Sequence, residues 1–247
     1  MKKSLFLLPV ALASLSLAAC GGKGDGASDS PKIAAGENVP PPAGKAWTDM
    51  VSKTDKGGYL MGNPDAAVKF AEYGSFTCPH CADFAEQSSD EIAKMVDTGK
   101  LSYEFRPYVR DPLDMTIALL AGCNGAEPYF PLSHQLFANQ PAMFEKIQGM
   151  GDKAYTDAMS QPPEKRFVTL ARLAGLVDFV KQRGVPEDKA KQCLSDQKQI
   201  EALAAEVQDA NNSYDITGTP TLLLNGSVVK DVASWDLMHE KLKEAGL

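Results

Sequence analysis

Two cysteines separated by two residues carry the strongest chemical signal in this sequence. They stand in the run Cys78-Pro79-His80-Cys81, between a segment that alternates like a strand and a segment with helical periodicity. A cysteine at the start of a helix lies beside unpaired N–H groups and the positive end of the helix dipole, which stabilise its thiolate. The spacing therefore predicts a nucleophilic Cys78 of low pKa and a Cys81 that can resolve a mixed disulfide.

The two residues between the cysteines fit the same interpretation. Pro79 suits a first helical turn, because its missing N–H would be unpaired there in any case. His80, when protonated, would add a second positive charge beside the sulfur of Cys78. A stabilised thiolate means a stabilised reduced form, so a Cys78–Cys81 disulfide would be oxidising.

Other chemistries of a CxxC motif are weaker. Covalent haem attachment needs a histidine directly after the second cysteine, where Ala82 stands. A zinc site needs further ligands, and the sequence has no second CxxC and no suitable histidine pair. We expect no metal and no organic cofactor, with the Cys78–Cys81 disulfide itself as the redox-active centre. A copper site with a distant ligand and an inert structural disulfide remain open alternatives.

The N-terminus reads as a targeting segment. Lys2 and Lys3 precede a short apolar stretch, 5–18, which is too short for a comfortable membrane span. The run Leu17-Ala18-Ala19-Cys20 resembles the bacterial lipobox, which implies a signal peptide over 1–19 and a membrane anchor through lipid on Cys20. Residues 20–46 lack core-forming side chains and predict a flexible tether to a domain over 47–247.

The remaining cysteines, Cys123 and Cys193, suggest a structural disulfide. If Cys20 carries lipid, four of the five cysteines remain, and an even number in an exported protein favours two disulfides; sequence proximity pairs Cys78 with Cys81. Both residues fall in segments with helical periodicity, about 70 residues apart, and such a loop would give about 4 kcal/mol in the chain-entropy model. Two separate buried thiols are the alternative.

The order of predicted elements indicates an α/β domain. Strands are expected at 59–62, 67–73, 101–109, 222–224 and 228–230, and helices at 82–96 and 235–245. Asn225-Gly226 is a type I′ hairpin signal. Nearly everything between about 112 and 213 reads as helix, so we expect a central sheet that carries a helical cap. The net charge of −7 and the lack of a basic run argue against a nucleic-acid surface.

Three segments resemble the DsbA-like family of thioredoxin-fold proteins. The run 72–81 is similar to that family's strand and active-site segment, 62–66 to its lead-in, and 219–222 to its cis-proline loop. The resemblance covers about 58–247 and implies a thioredoxin-like fold, with a central mixed sheet and an inserted all-helical domain over about 112–213.

The resemblance also assigns roles. It implies that Cys78 is an exposed nucleophile, that Cys81 is a buried resolving thiol and that His80 tunes the potential. Pro220 would be cis opposite the disulfide, with Thr219 offering backbone hydrogen bonds to an extended substrate. Glu72 would be a partly buried acid that assists proton transfer at Cys81; a solvated strand residue is the alternative.

The implied function is a dithiol oxidase. It would introduce disulfides into partly unfolded exported proteins and be reoxidised by a DsbB-like membrane oxidase. The protein would act as a monomer, lipid-anchored in the bacterial cell envelope and facing the periplasm, without nucleic acid. Because Thr219 precedes the proline in several thiol-redox families, an envelope isomerase or reductase stays open. A CxxC metal-binding or chaperone lipoprotein also stays open.

Overall fold

The computed structural model describes residues 35–247. The strands are β1 (Val51–Lys53), β2 (Tyr59–Gly62), β3 (Val68–Gly74), β4 (Leu101–Pro107), β5 (Thr221–Leu224) and β6 (Ser227–Val228). The helices are α1 (Pro79–Asp97), α2 (Pro112–Ala121), α3 (Tyr129–Ala138), α4 (Gln140–Gly149), α5 (Gly151–Met159), α6 (Pro163–Leu173), α7 (Leu176–Lys181), α8 (Glu187–Leu194), α9 (Gln197–Tyr214) and α10 (Trp235–Glu244). A 3-10 turn covers Trp47–Asp49.

The strands form one mixed sheet in the order β1-β2-β4-β3-β5-β6. Strands β3 and β4 are parallel and are joined by α1, whereas the other neighbouring strands are antiparallel. A parallel pair needs a crossover connection, which α1 supplies here. Asn225 and Gly226 both have positive φ, so the β5–β6 turn has the backbone that the Asn-Gly signal predicts.

The two faces of the sheet meet different helices. Phe70 packs against Phe84 of α1, and Trp235 of α10 packs on the same ring, with centroids 5.9 Å apart. On the other face Tyr73 meets Tyr214 at the end of α9. Because successive strand residues alternate faces, Glu72 lies on the same side as Phe70, toward α1.

The helices between β4 and β5 form the inserted all-helical region, from α2 to α9, in a thioredoxin-like fold. A disulfide joins Cys123, just after α2, to Cys193 in α8, with Cα atoms 5.7 Å apart. The cross-link spans 70 residues, so it ties the first helix of the insertion to its penultimate helix.

The described part of the predicted tether, 35–46, contacts the folded domain. The backbone N–H of Ala35 donates to the carbonyl of Ala245 at 2.7 Å, and that of Val39 donates to the carbonyl of Thr98 at 2.9 Å. The Trp47 indole N–H donates in turn to the Val39 carbonyl at 2.7 Å. Backbone hydrogen bonds to the domain therefore occur as early as Ala35, twelve residues before the expected start of the domain at 47.

Two strands differ from the sequence expectations. The sequence did not predict β1, and β6 is two residues long where three were expected. Cys20 and the signal peptide lie outside the described residues. Within 35–247, no helix is both long and apolar enough to cross a bilayer.

Candidate active site

Cys78 sits at the N-cap of α1, in extended backbone geometry with φ −91° and ψ 119°. Pro79 occupies the first helical turn, as expected, and its side chain is exposed like that of His80. The inward side of α1 then carries Cys81, Phe84 and further buried residues at helical spacing. This pattern fixes which way the helix faces and points Cys81 into the protein.

The expectation that Cys78 is exposed is wrong, since only 3% of its surface is accessible. The loop containing the cis peptide bond Thr219–Pro220 covers it, and Cys78 Sγ as a thiol donates to the Thr219 carbonyl at 3.2 Å. Fewer protein atoms surround Cys78 than surround Cys81, whose side chain is fully buried. Cys78 is therefore covered by one loop, whereas Cys81 lies beneath it in the core.

The surroundings of Cys78 lower its pKa to about 5, mainly through a hydrogen bond from the Cys81 thiol and against the effect of burial. Thr219 contributes as well. When Cys78 is a thiolate, it has no proton to donate to the Thr219 carbonyl. The buried Thr219 hydroxyl, which has no other partner within the described chain, is then the group placed to donate to the sulfur.

Cys81 has the opposite character. Burial raises the pKa of its thiol far above the usual value, and the hydrogen bond to Cys78 and the nearby charge of Glu72 raise it further. At neutral pH the pair therefore holds one thiolate, on Cys78, and one proton, on Cys81. Such a division makes Cys78 the better leaving group of the two.

Glu72 is buried, with 1% of its surface exposed, so the alternative of a solvated strand residue is excluded. The Tyr103 hydroxyl donates to Glu72 Oε2 at 2.7 Å, while Oε1 finds no partner among residues 35–247. Burial raises the pKa of Glu72 to about 8, partly offset by Tyr103 and reinforced by Cys78. A Cβ at Gly74 would lie 2.7 Å from Oε1, so glycine leaves room for the carboxyl group.

The loop before Cys78 is held by a buried carboxylate that the sequence did not single out. Asp114 Oδ1 accepts from the backbone N–H of Phe76 at 2.8 Å, and Oδ2 accepts from the Ser75 hydroxyl at 2.6 Å. Burial raises the pKa of Asp114 to about 7. The neighbouring Asp111, which caps α2, accepts from the Thr77 hydroxyl at 2.7 Å.

A second unpredicted residue reaches this loop from the start of α4. Gln140 is buried, and its Nε2 donates to the carbonyls of Phe76 and Cys78 at 2.9 and 3.0 Å. Asp114 and Gln140 are more than 30 residues from the motif, so no local pattern marks them. In the described chain no three His, Cys, Asp or Glu side chains gather into a group that could hold a metal ion.

A thioredoxin family model matches residues 54–244. The chain belongs to the thioredoxin family. A Novosphingobium aromaticivorans structure described as a protein-disulfide isomerase aligns with a TM-score of 0.73 and 28% identity, over 80% of this chain and 100% of that one. A structure of Wolbachia pipientis alpha-DsbA1 aligns with a TM-score of 0.60 and 21% identity, over 75% of this chain and 89% of that one. The fold of the chain is DsbA-like.

A Rickettsia felis protein named as a protein-disulfide oxidoreductase is 29% identical over 175 residues, or 70% of this chain. The match covers 55% of that relative, so the chain spans little more than half of its length. The DsbA-like fold and helical insertion expected from the sequence are confirmed by these matches.

Proposed function

We propose that this chain is a thiol–disulfide oxidoreductase that acts as a dithiol oxidase on exported proteins. The observation that carries the proposal is the divided pair: a Cys78 whose pKa falls to about 5, above a buried Cys81 whose pKa is raised. A pair of this kind favours the reduced form of the enzyme, so its disulfide is a good oxidant.

The first step starts from the Cys78–Cys81 disulfide. A substrate thiolate attacks Cys78 Sγ, the bond between the two sulfurs breaks, and Cys81 leaves as a thiolate. Because the raised pKa of Cys81 favours its thiol, it takes up a proton, and Glu72 is the nearby acid that can supply one. The product is a mixed disulfide between substrate and Cys78.

In the second step another substrate thiolate attacks the substrate sulfur of the mixed disulfide. Cys78 leaves as a thiolate, which its surroundings stabilise. The substrate has lost two electrons and its two thiol protons and gained a disulfide, and the enzyme pair has gained the two electrons. A DsbB-like membrane oxidase would then restore the Cys78–Cys81 disulfide and take the electrons away.

The direction of electron flow separates this proposal from an isomerase or reductase. The Novosphingobium neighbour is described as an isomerase, so that alternative needs its own measurement. The low pKa of Cys78 favours the oxidase, because a good leaving group releases the substrate in its oxidised form. A metal-carrying or chaperone lipoprotein, by contrast, would not need Cys78 as a leaving group.

Equilibrium with glutathione at pH 7 tests the proposal. We expect a potential well above the roughly −270 mV of thioredoxin, and oxidation of a reduced model substrate that is lost in Cys78→Ser. The matched control is Cys123→Ser/Cys193→Ser, which removes the other pair. A potential near that of thioredoxin would overturn the oxidase. Full activity in Cys78→Ser would instead favour a binding protein.

We also propose that lipid on Cys20 anchors the protein in the bacterial envelope, facing the periplasm. The support is the order of basic residues, apolar stretch and Leu17-Ala18-Ala19-Cys20 in the sequence. Two acyl chains on one residue suffice for stable anchoring. Labelling with a radioactive fatty acid should mark the wild type and not Cys20→Ser; equal labelling would contradict the assignment.

A further inference from the structure

One exposed arginine lies against the active-site loop without a part in the mechanism above. Arg110 precedes the N-cap of α2, and its Nε donates to the Ser75 hydroxyl at 2.9 Å. Its Nη2 donates to the Thr77 hydroxyl at 3.3 Å. Thr77 is directly followed by Cys78, so the guanidinium group is fixed beside the loop that presents the nucleophile.

The position of Arg110 is set by its own backbone as well. Asp114 Oδ2, which accepts from Ser75, also accepts from the Arg110 backbone N–H at 3.0 Å. One buried carboxylate therefore ties both the loop and the arginine to the start of α2. Fixing an arginine side chain costs rotamer entropy, and the two hydrogen bonds together with the tied backbone offset that cost.

We propose that Arg110 is a positioning residue that stabilises the Cys78 thiolate through its fixed positive charge. This inference rests on the proposed redox function and adds to it the source of the charge. The sequence assigned a positive charge beside Cys78 to His80; Arg110 is exposed as well, but two hydrogen bonds fix it to the active-site loop. Arginine keeps its charge at every working pH, so its effect on Cys78 does not switch off as a histidine's does.

The electrostatic surroundings agree with this assignment. The Cys81 hydrogen bond contributes most to the lowered pKa of Cys78, and the positive charge of Arg110 contributes in the same direction. The titratable and charged groups around Cys78 belong to α1, β3 and the start of α2: Cys81, His80, Glu72, Arg110, Asp111 and Asp114. Of these side-chain types, arginine is the one that stays protonated in proteins.

The test compares three substitutions with thiolate absorbance as the readout. In Arg110→Met and Arg110→Gln we expect the acid dissociation constant of Cys78 to fall about 3- to 10-fold, as for the loss of one partly screened charge. Arg110→Lys should restore most of it. Arg166→Met is the control. It removes an arginine of α6 whose Nε donates to the Gln161 carbonyl, and it should leave the pKa of Cys78 unchanged.

Ionic strength separates charge from loop geometry. Added salt should raise the pKa of Cys78 in the wild type and have a clearly smaller effect in Arg110→Met, because an exposed charge is screened. If folded Arg110→Gln titrates like the wild type, the arginine only shapes the loop and the inference is overturned. If the wild type itself shows an ordinary thiol pKa, the proposed function fails before Arg110 matters.

Discussion

Glu72 is a single buried carboxyl group whose proposed part in proton transfer comes at a cost to stability. It lies beneath the two cysteines with one hydrogen bond, from Tyr103, and one oxygen without a partner among residues 35–247. Burial raises its pKa from 4.5 to about 8, so at neutral pH it carries a proton that it can give to Cys81. A protonated acid beside a buried thiolate leaving group is suited to that transfer.

The same shift predicts a pH-dependent stability. Between pH 4.5 and about 8 the folded state binds the Glu72 proton that the unfolded chain has lost, so stability falls as pH rises through this window. Glu72→Gln removes this titration. We expect the reduced variant to be more stable than the wild type at pH 7–8 by about 1–3 kcal/mol.

Urea unfolding of the reduced protein at pH 5, 6, 7 and 8 measures this effect. Glu86→Gln is the matched control, because it removes a carboxyl group that lies exposed on the nearby active-site helix α1. Parallel stability curves for wild type and Glu72→Gln would show that Glu72 ionises normally in the folded protein, and its part in proton transfer would be lost.

At the scale of single residues, the sequence predicts what is local. Cys78 and Cys81 follow from the spacing of the motif, and Glu72 follows from the resemblance of the run 72–81 to the DsbA-like active-site segment. The cover over Cys78 comes from Thr219, 141 residues away, so the burial of the nucleophile was not foreseeable from the motif. The same holds for Asp114 and Gln140, because only the folded topology brings them to the loop.

Among the elements, α2 connects the two cysteine pairs of the domain. Asp111 at its N-cap and Asp114 in its first turn hold the active-site loop. The helix ends two residues before Cys123. The disulfide to Cys193 therefore fixes the end of the helix that is remote from the nucleophile. Its expected contribution is to the free energy of unfolding rather than to the chemistry of Cys78.

Removing this cross-link gives the element-scale prediction. Cys123→Ala/Cys193→Ala should lower the free energy of unfolding by about 2–4 kcal/mol, because both residues are half-buried and the main loss is the constraint on the unfolded chain. Urea unfolding measures it, and the pKa of Cys78 serves as the control and should not move. A loss below about 0.5 kcal/mol would refute a stabilising role.

The long central strands and the hairpin were more predictable from the sequence than the short strand at the edge of the sheet. Strong alternation marked β3 and β4, and Asn225-Gly226 marked the hairpin. β1 was not predicted, because its three residues are too few to show alternation of apolar and polar side chains. The strand forms at the edge of the sheet by pairing with β2.

For the whole molecule, the chain before Trp47 joins two distant parts of the domain. Ala35 is bonded to the segment after α10, and Val39 to the turn after α1. These contacts use backbone N–H and carbonyl groups, which every residue except proline carries. A composition rich in glycine, serine and proline predicts a tether from its lack of core-forming side chains, but composition does not indicate where backbone hydrogen bonds begin.

Two shortened chains make this point measurable. A chain that begins at Ala35 keeps these contacts, whereas one that begins at Trp47 loses them and leaves the buried indole N–H without its acceptor at Val39. We expect the free energy of unfolding of the shorter chain to be lower by about 1–3 kcal/mol, because a buried donor is left unpaired and packing is lost. Trp47→Phe in the longer chain isolates the indole bond. Equal unfolding of both chains would place the whole of 35–46 in the tether, because a segment that adds no stability does not belong to the cooperative unit.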